Sequence, residues 1–62
     1  MSKRKTWAVT VDGRVWETCP SRGAGLRLWK SMADNELFKR CRVALYGPRG
    51  GLIREKSPES DE

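Results

Sequence analysis

Asp12-Gly13 stands between two runs of alternating residues, and this dipeptide restricts the fold more than any other feature of the chain. Before it, Thr6-Trp7-Ala8-Val9-Thr10-Val11 alternates with period two and is rich in β-branched and aromatic side chains. After it, Arg14-Val15-Trp16-Glu17-Thr18-Cys19 alternates again. Asp-Gly suits the positive φ angles at both centres of a type I′ turn, so the runs are predicted to pair as a hairpin with a tight loop. In that register Val11 faces Arg14, Val9 faces Trp16 and Trp7 faces Thr18. Trp7, Val9, Val11 and Trp16 then share one face, which a helix is expected to cover. Ala8, Thr10, Val15, Glu17 and Cys19 share the other.

The spacing changes after Pro20. Ser21 is a natural N-cap, and from Ala24 to Leu37 the apolar positions follow helical intervals. Leu26, Leu28, Trp29, Met32 and Ala33 gather on one side, with Arg27, Lys30, Ser31 and Asp34 opposite. Gly23 and Gly25 each weaken the first turn by up to ~1 kcal/mol relative to Ala, which implies close packing on the sheet or fraying. The helix is expected to fade near Asp34–Glu36. Residues 39–46 read as a third strand, with Cys41, Val43 and Leu45 inward and Arg40, Arg42, Ala44 and Tyr46 outward. Gly47-Pro48-Arg49-Gly50-Gly51 is a turn cluster, and Leu52-Ile53-Arg54 returns as a short fourth strand. The predicted fold class is α+β: a β-β-α-β-β chain forming a four-stranded antiparallel sheet in the order 2-1-3-4, with one helix packed on one face. Residues 1–4 form a basic N-terminal end, 5–56 the single domain and 57–62 an acidic tail expected to be disordered.

Charge is unevenly spread. Residues 1–54 carry twelve Lys or Arg against four acids, a balance of +8, whereas residues 55–62 carry one Lys against four acids. Such a basic body attracts nucleic acid or an acidic protein surface, in a salt-dependent way. With 62 residues, no His and no paired catalytic groups, the chain is expected not to be an enzyme, with no cofactor and no small-molecule substrate. Cys19 and Cys41 alone cannot supply a common four-ligand zinc site, so no metal is expected. The Lys3-Arg4-Lys5 start leads into alternating residues rather than an apolar leader, and no stretch approaches the ~20 residues of a membrane span. The expectation is a cytoplasmic protein with reduced, structural thiols and no membrane partner.

The run Lys5-Thr6-Trp7-Ala8-Val9, the helix, and the ending from Tyr46 through Gly47-Pro48-Arg49-Gly50-Gly51-Leu52-Ile53-Arg54-Glu55-Lys56 resemble a family of short uncharacterised bacterial proteins. That resemblance implies no function. In size and in its β-β-α-β-β order the chain also resembles small accessory proteins of bacteriophages and mobile elements. This second resemblance implies binding to, and inhibition of, a host protein such as a polymerase or nuclease.

Candidate binding residues follow from the basic strand pattern. Arg40, Arg42 and Tyr46 are expected on the open sheet face with Arg54 beside them, while Lys3, Arg4 and Lys5 extend from the start of the first strand and Arg49 sits in the glycine turn. Arginines two apart on a strand leave it on the same side, about 6.8 Å apart, a spacing suited to successive phosphates. Interleaved aromatics add stacking. The same charges also serve an ordinary solvated strand, where they oppose edge-to-edge aggregation. Ser21-Arg22-Gly23-Ala24-Gly25 can offer free N–H groups to a phosphate, yet it is neither a Rossmann fingerprint nor a P-loop. Trp7, Trp16 and Trp29 are expected in the core. The leading functional expectation is a nucleic-acid-associated binding module, and the alternative is a phage-type inhibitor of a host protein.

Overall fold

A computed structural model describes residues 5–59 of the chain. Strands β1 (Trp7–Val11) and β2 (Arg14–Cys19) are followed by helix α1 (Arg22–Ala33), a short 3-10 turn η1 (Glu36–Phe38), and strands β3 (Val43–Tyr46) and β4 (Leu52–Lys56). The sheet is antiparallel throughout, in the order β2-β1-β3-β4. Asp12 (φ 53°) and Gly13 (φ 88°) both take the left-handed conformation that the first hairpin turn needs.

The hairpin keeps the expected pairing only near its turn. Val11 pairs with Arg14 and Thr10 with Val15, but a bulge then inserts Trp16, so that Val9 pairs with Glu17 and Trp7 with Cys19. Trp16 therefore does not face Val9, and it is 59% exposed rather than in the core. Its ring meets Phe38 edge-on, with centroids 5.5 Å apart. The same slip moves Glu17 and Cys19 to the helix side, because opposed residues share a face. Cys19 is buried there. On the other edge a second bulge, between Leu45 and Tyr46, leaves Ile53 unpaired and lets it pack against the core.

The core is the single thin layer that the length permits. Val9, Val43 and Leu45 are fully buried under Met32, with Trp7, Leu26, Leu28 and Trp29 closing over them. Each of the three buried aliphatic side chains contributes roughly 1.5–3 kcal/mol. The Trp29 indole donates to the Val43 carbonyl (3.0 Å), so its polar edge is satisfied within that layer. At the helix start, the Ser21 hydroxyl accepts from the Ala24 N–H (3.2 Å). A Cβ on Gly25 would lie 3.0 Å from Leu45 Cδ1 and 3.2 Å from Trp7 Cβ, whereas one on Gly23 would meet nothing within 4 Å. Close packing accounts for Gly25 alone.

The third strand is half as long as expected. Val43 already pairs with Val11, the last residue of β1, so no partner remains for residues 39–42. The backbone there bonds elsewhere. The Asp12 N–H donates to the Arg42 carbonyl (2.8 Å), and the Arg42 N–H donates to the Asp12 carboxylate (3.0 Å). The Lys56 ammonium donates to the carbonyls of Phe38 (2.9 Å), Lys39 (3.1 Å) and Cys41 (3.1 Å), gathering the end of η1 into a cap. The Glu59 N–H also donates to the Lys39 carbonyl (2.9 Å), so the chain after β4 is tied to the same turn.

Candidate functional site

Three chain reversals decide where the basic side chains gather. β1 starts, β2 ends, β3 ends and β4 starts at one end of the sheet, since Trp7 pairs with Cys19, Ala8 with Tyr46, and Tyr46 with Leu52. The helix leaves from that end as well, directly after β2. Lys5, two residues ahead of Trp7, comes to the same place, and so does Arg49.

The β3–β4 turn is built to present Arg49. Gly50 N–H donates to the Gly47 carbonyl (2.9 Å), and Gly47 N–H donates to the Gly51 carbonyl (2.8 Å). Pro48 at the second position and Gly50 at the fourth, with φ 85°, suit a tight turn followed by a left-handed residue. Arg49 is left at the tip. Arg22 occupies the first helical position because Ser21 is the cap.

Between these elements lies an open groove of about 820 Å³. Its half-buried members include Trp7 and Ile53, which form an apolar floor, while exposed Lys5, Arg22 and Arg49 stand around the rim. Among the described residues no carboxylate lines it. None of the three cations forms an ion pair with a described residue. The volume falls within the ~300–1,000 Å³ usual for ligand sites, but the open shape suits a chain passing through rather than a small molecule enclosed.

The expected sheet-face cluster is not assembled as one patch. Arg40 lies in the turn before Arg42 and Val43, outside any strand, so it and Arg42 are not alternate residues of a ladder. Arg42 and Tyr46 do line a smaller hollow on the open face, together with Thr10, Asp12 and Glu55. There Arg42 is paired with Glu55 at 3.8 Å. Arg54 pairs with Leu45 and so sits on the helix side of the edge strand. Lys3 and Arg4 lie outside the described residues; Lys5 and Arg49 line the groove. Arg22 was not among the binding candidates of the strand pattern, although the capped sequence Ser21-Arg22 marks it as the first helical residue.

Both cysteines are free thiols. Burial, and then the charge of Glu17, pushes the Cys19 thiol above its ordinary value. Among the described residues no cluster of His, Cys, Asp or Glu is placed to hold a metal ion, and no helix is long and apolar enough to cross a membrane. Comparison with family models, curated proteins and solved structures finds no match to this chain.

Proposed function

We propose that this chain is a non-enzymatic basic binding module that associates with nucleic acid. The observation that carries the reading is the groove: three cations from three separate elements around an aromatic floor, with no carboxylate in the lining. Cations that form no ion pair with a described residue are available to phosphate, and they position a nucleic acid without reading its sequence. The reading thus keeps the nucleic-acid partner suggested by the charge balance but moves its centre from the sheet face to the end of the sheet. Titration of a labelled oligonucleotide by fluorescence anisotropy between 50 and 200 mM salt tests it. Contacts from Lys5, Arg22 and Arg49 to single-stranded phosphates give a slope of log K on log salt of about −2. Absence of binding at the low-salt limit would refute the proposal.

A second reading, inhibition of a host protein, draws on the exposed edge strand β2. Val15 is 64% and Trp16 59% exposed there, and Leu37 on η1 is 83% exposed. An aromatic beside a free strand edge suits strand addition by a partner protein. Capture of a single protein from bacterial lysate after nuclease treatment, with loss of that capture in Trp16→Ala, would favour this reading over the first.

A further inference from the structure

We propose that the groove takes single-stranded rather than duplex nucleic acid, with one base stacked on the Trp7 indole and its flanking phosphates held by Arg22 and Arg49. This rests on the nucleic-acid reading above and specifies the ligand. Trp7 is half-buried and lines the groove together with Lys5, Arg22 at the helix start and the β3–β4 turn. A base inside a duplex presents only its edges at the grooves and cannot offer its face to a half-buried ring. An unpaired base can leave its stack and reach it. Ile53 beside the indole extends the apolar floor, and Gly47 and Gly51 on the turn leave backbone rather than side chains over that part of the groove.

The rim is also stiff where it matters. Arg22 is fixed at its helical position by the Ser21 cap, and the Gly25 contact with Leu45 holds the first helical turn directly on the sheet. Arg49 projects from a turn closed by two backbone hydrogen bonds. The backbone positions that carry Arg22 and Arg49 are therefore fixed on two elements of the groove, while Lys5 extends the basic path along the chain entering β1. The lining matters equally, because among the described residues that line the groove a strand of phosphates meets no carboxylate.

The test uses the full chain and three probes of equal length: a 12-nucleotide oligo-dT, an abasic strand with the same phosphates but no bases, and a 12-base-pair duplex. Oligo-dT is expected to bind at least tenfold more tightly than either of the others at 100 mM salt. Arg22→Ala with Arg49→Ala should weaken oligo-dT at least tenfold. Arg27→Ala with Lys30→Ala, which removes the same charge from the exposed outer face of α1, should weaken it less than threefold. All four positions are exposed, and circular dichroism verifies that both variants fold. Equal affinity for the abasic strand or the duplex, or equal losses in the two double variants, would overturn the groove while leaving general nucleic-acid association intact. Failure of the unaltered chain to bind any of the probes would overturn both.

Discussion

At the end of the sheet where β1 turns into β2, the fold engages Arg42 and Lys56; at the opposite end Lys5, Arg22 and Arg49 stand around a groove. Asp12, Asp34, Glu36, Glu55 and Glu59 all lie toward the first end, where Arg42 meets Glu55 and the Lys56 ammonium spends its three donors on backbone carbonyls. Among the described residues that line the groove, no carboxylate accompanies Lys5, Arg22 and Arg49. Both ends are basic in sequence, yet the first engages Arg42 and Lys56 in its own contacts and holds the nearby carboxylates, whereas Lys5, Arg22 and Arg49 form no ion pair with a described residue. A cation is informative about function when the fold does not already need it, and counting Arg and Lys along the chain cannot make that distinction.

The most forceful way to break the comparison is to loosen the groove end from within. Leu45 is fully buried and lies under Gly25, where the helix start rests on the sheet. Leu45→Ala should cost about 2–5 kcal/mol, the range for buried leucines. The net stability of a domain this small is only ~3–5 kcal/mol after chain entropy is offset, so the variant should be largely unfolded in a urea melt at room temperature. A stable Leu45→Ala protein would mean that the helix start is not seated on the sheet, and the groove would lose its fixed wall.

Next in size is a contrast between cations. Lys56→Met removes the charge from the cap over Phe38, Lys39 and Cys41, and should lower stability by about 1–2 kcal/mol, since water reaches part of the site and replaces some of the lost bonds. Arg22→Ala and Arg49→Ala should each stay within about 0.5 kcal/mol of the parent. Chemical denaturation of the three variants compares them directly. Equal losses at all three positions would erase the distinction between a structural and a functional end. The Arg42–Glu55 pair cannot sharpen it further, because both side chains are more than a third exposed and such pairs contribute little.

A smaller effect is expected at Trp16. With the ring 59% exposed and one edge contact to Phe38, Trp16→Ala should cost about 1 kcal/mol, against the 3–5 kcal/mol of a buried Trp. A thermal melt separates the two magnitudes. A loss at the upper value would restore Trp16 to the core.

Much of this architecture was legible in the sequence. Asp12-Gly13, the Ser21 cap and the change from period two to helical spacing specify the elements, and chain reversal at each connection leads to the order 2-1-3-4. The bulge at Trp16 was not legible, because the alternating pattern runs through it unbroken; the observed register sets Trp16 against Phe38 and buries Cys19 instead. Nor was the short β3. Arg40-Cys41-Arg42-Val43 alternates well, but alternation cannot reveal that β1 ends at Val11 and leaves those residues without a partner. For the site, the useful signal was topology rather than periodicity. Alternation sorts residues onto faces, whereas strand order sorts them onto ends, and the groove is a property of an end.

The two thiols give the finest probe of the same contrast, since Cys19 lies opposite Trp7 at the groove end and Cys41 beside the Lys56 cap at the other. Alkylation proceeds through the thiolate. Cys19 is 6% exposed, and its burial together with the Glu17 charge raises its pKa, so both access and ionisation slow its reaction. Iodoacetamide at pH 8 should modify half-buried Cys41 at least tenfold faster, as followed by intact mass and peptide mapping. The raised pKa also has a stability consequence. As pH rises, the unfolded thiol loses its proton first while the folded one retains it, so the stability contribution is complete below the ordinary thiol value and is lost as pH climbs through the raised one. Its slope cannot exceed about 1.4 kcal/mol per pH unit for a single proton. Subtracting the alkaline denaturation profile of Cys19→Ala from that of the parent isolates this small term from Tyr and Lys titration. Equal alkylation of the two thiols would mean that β2 opens readily beside Trp7, and the indole could not then serve as the fixed floor of a binding site.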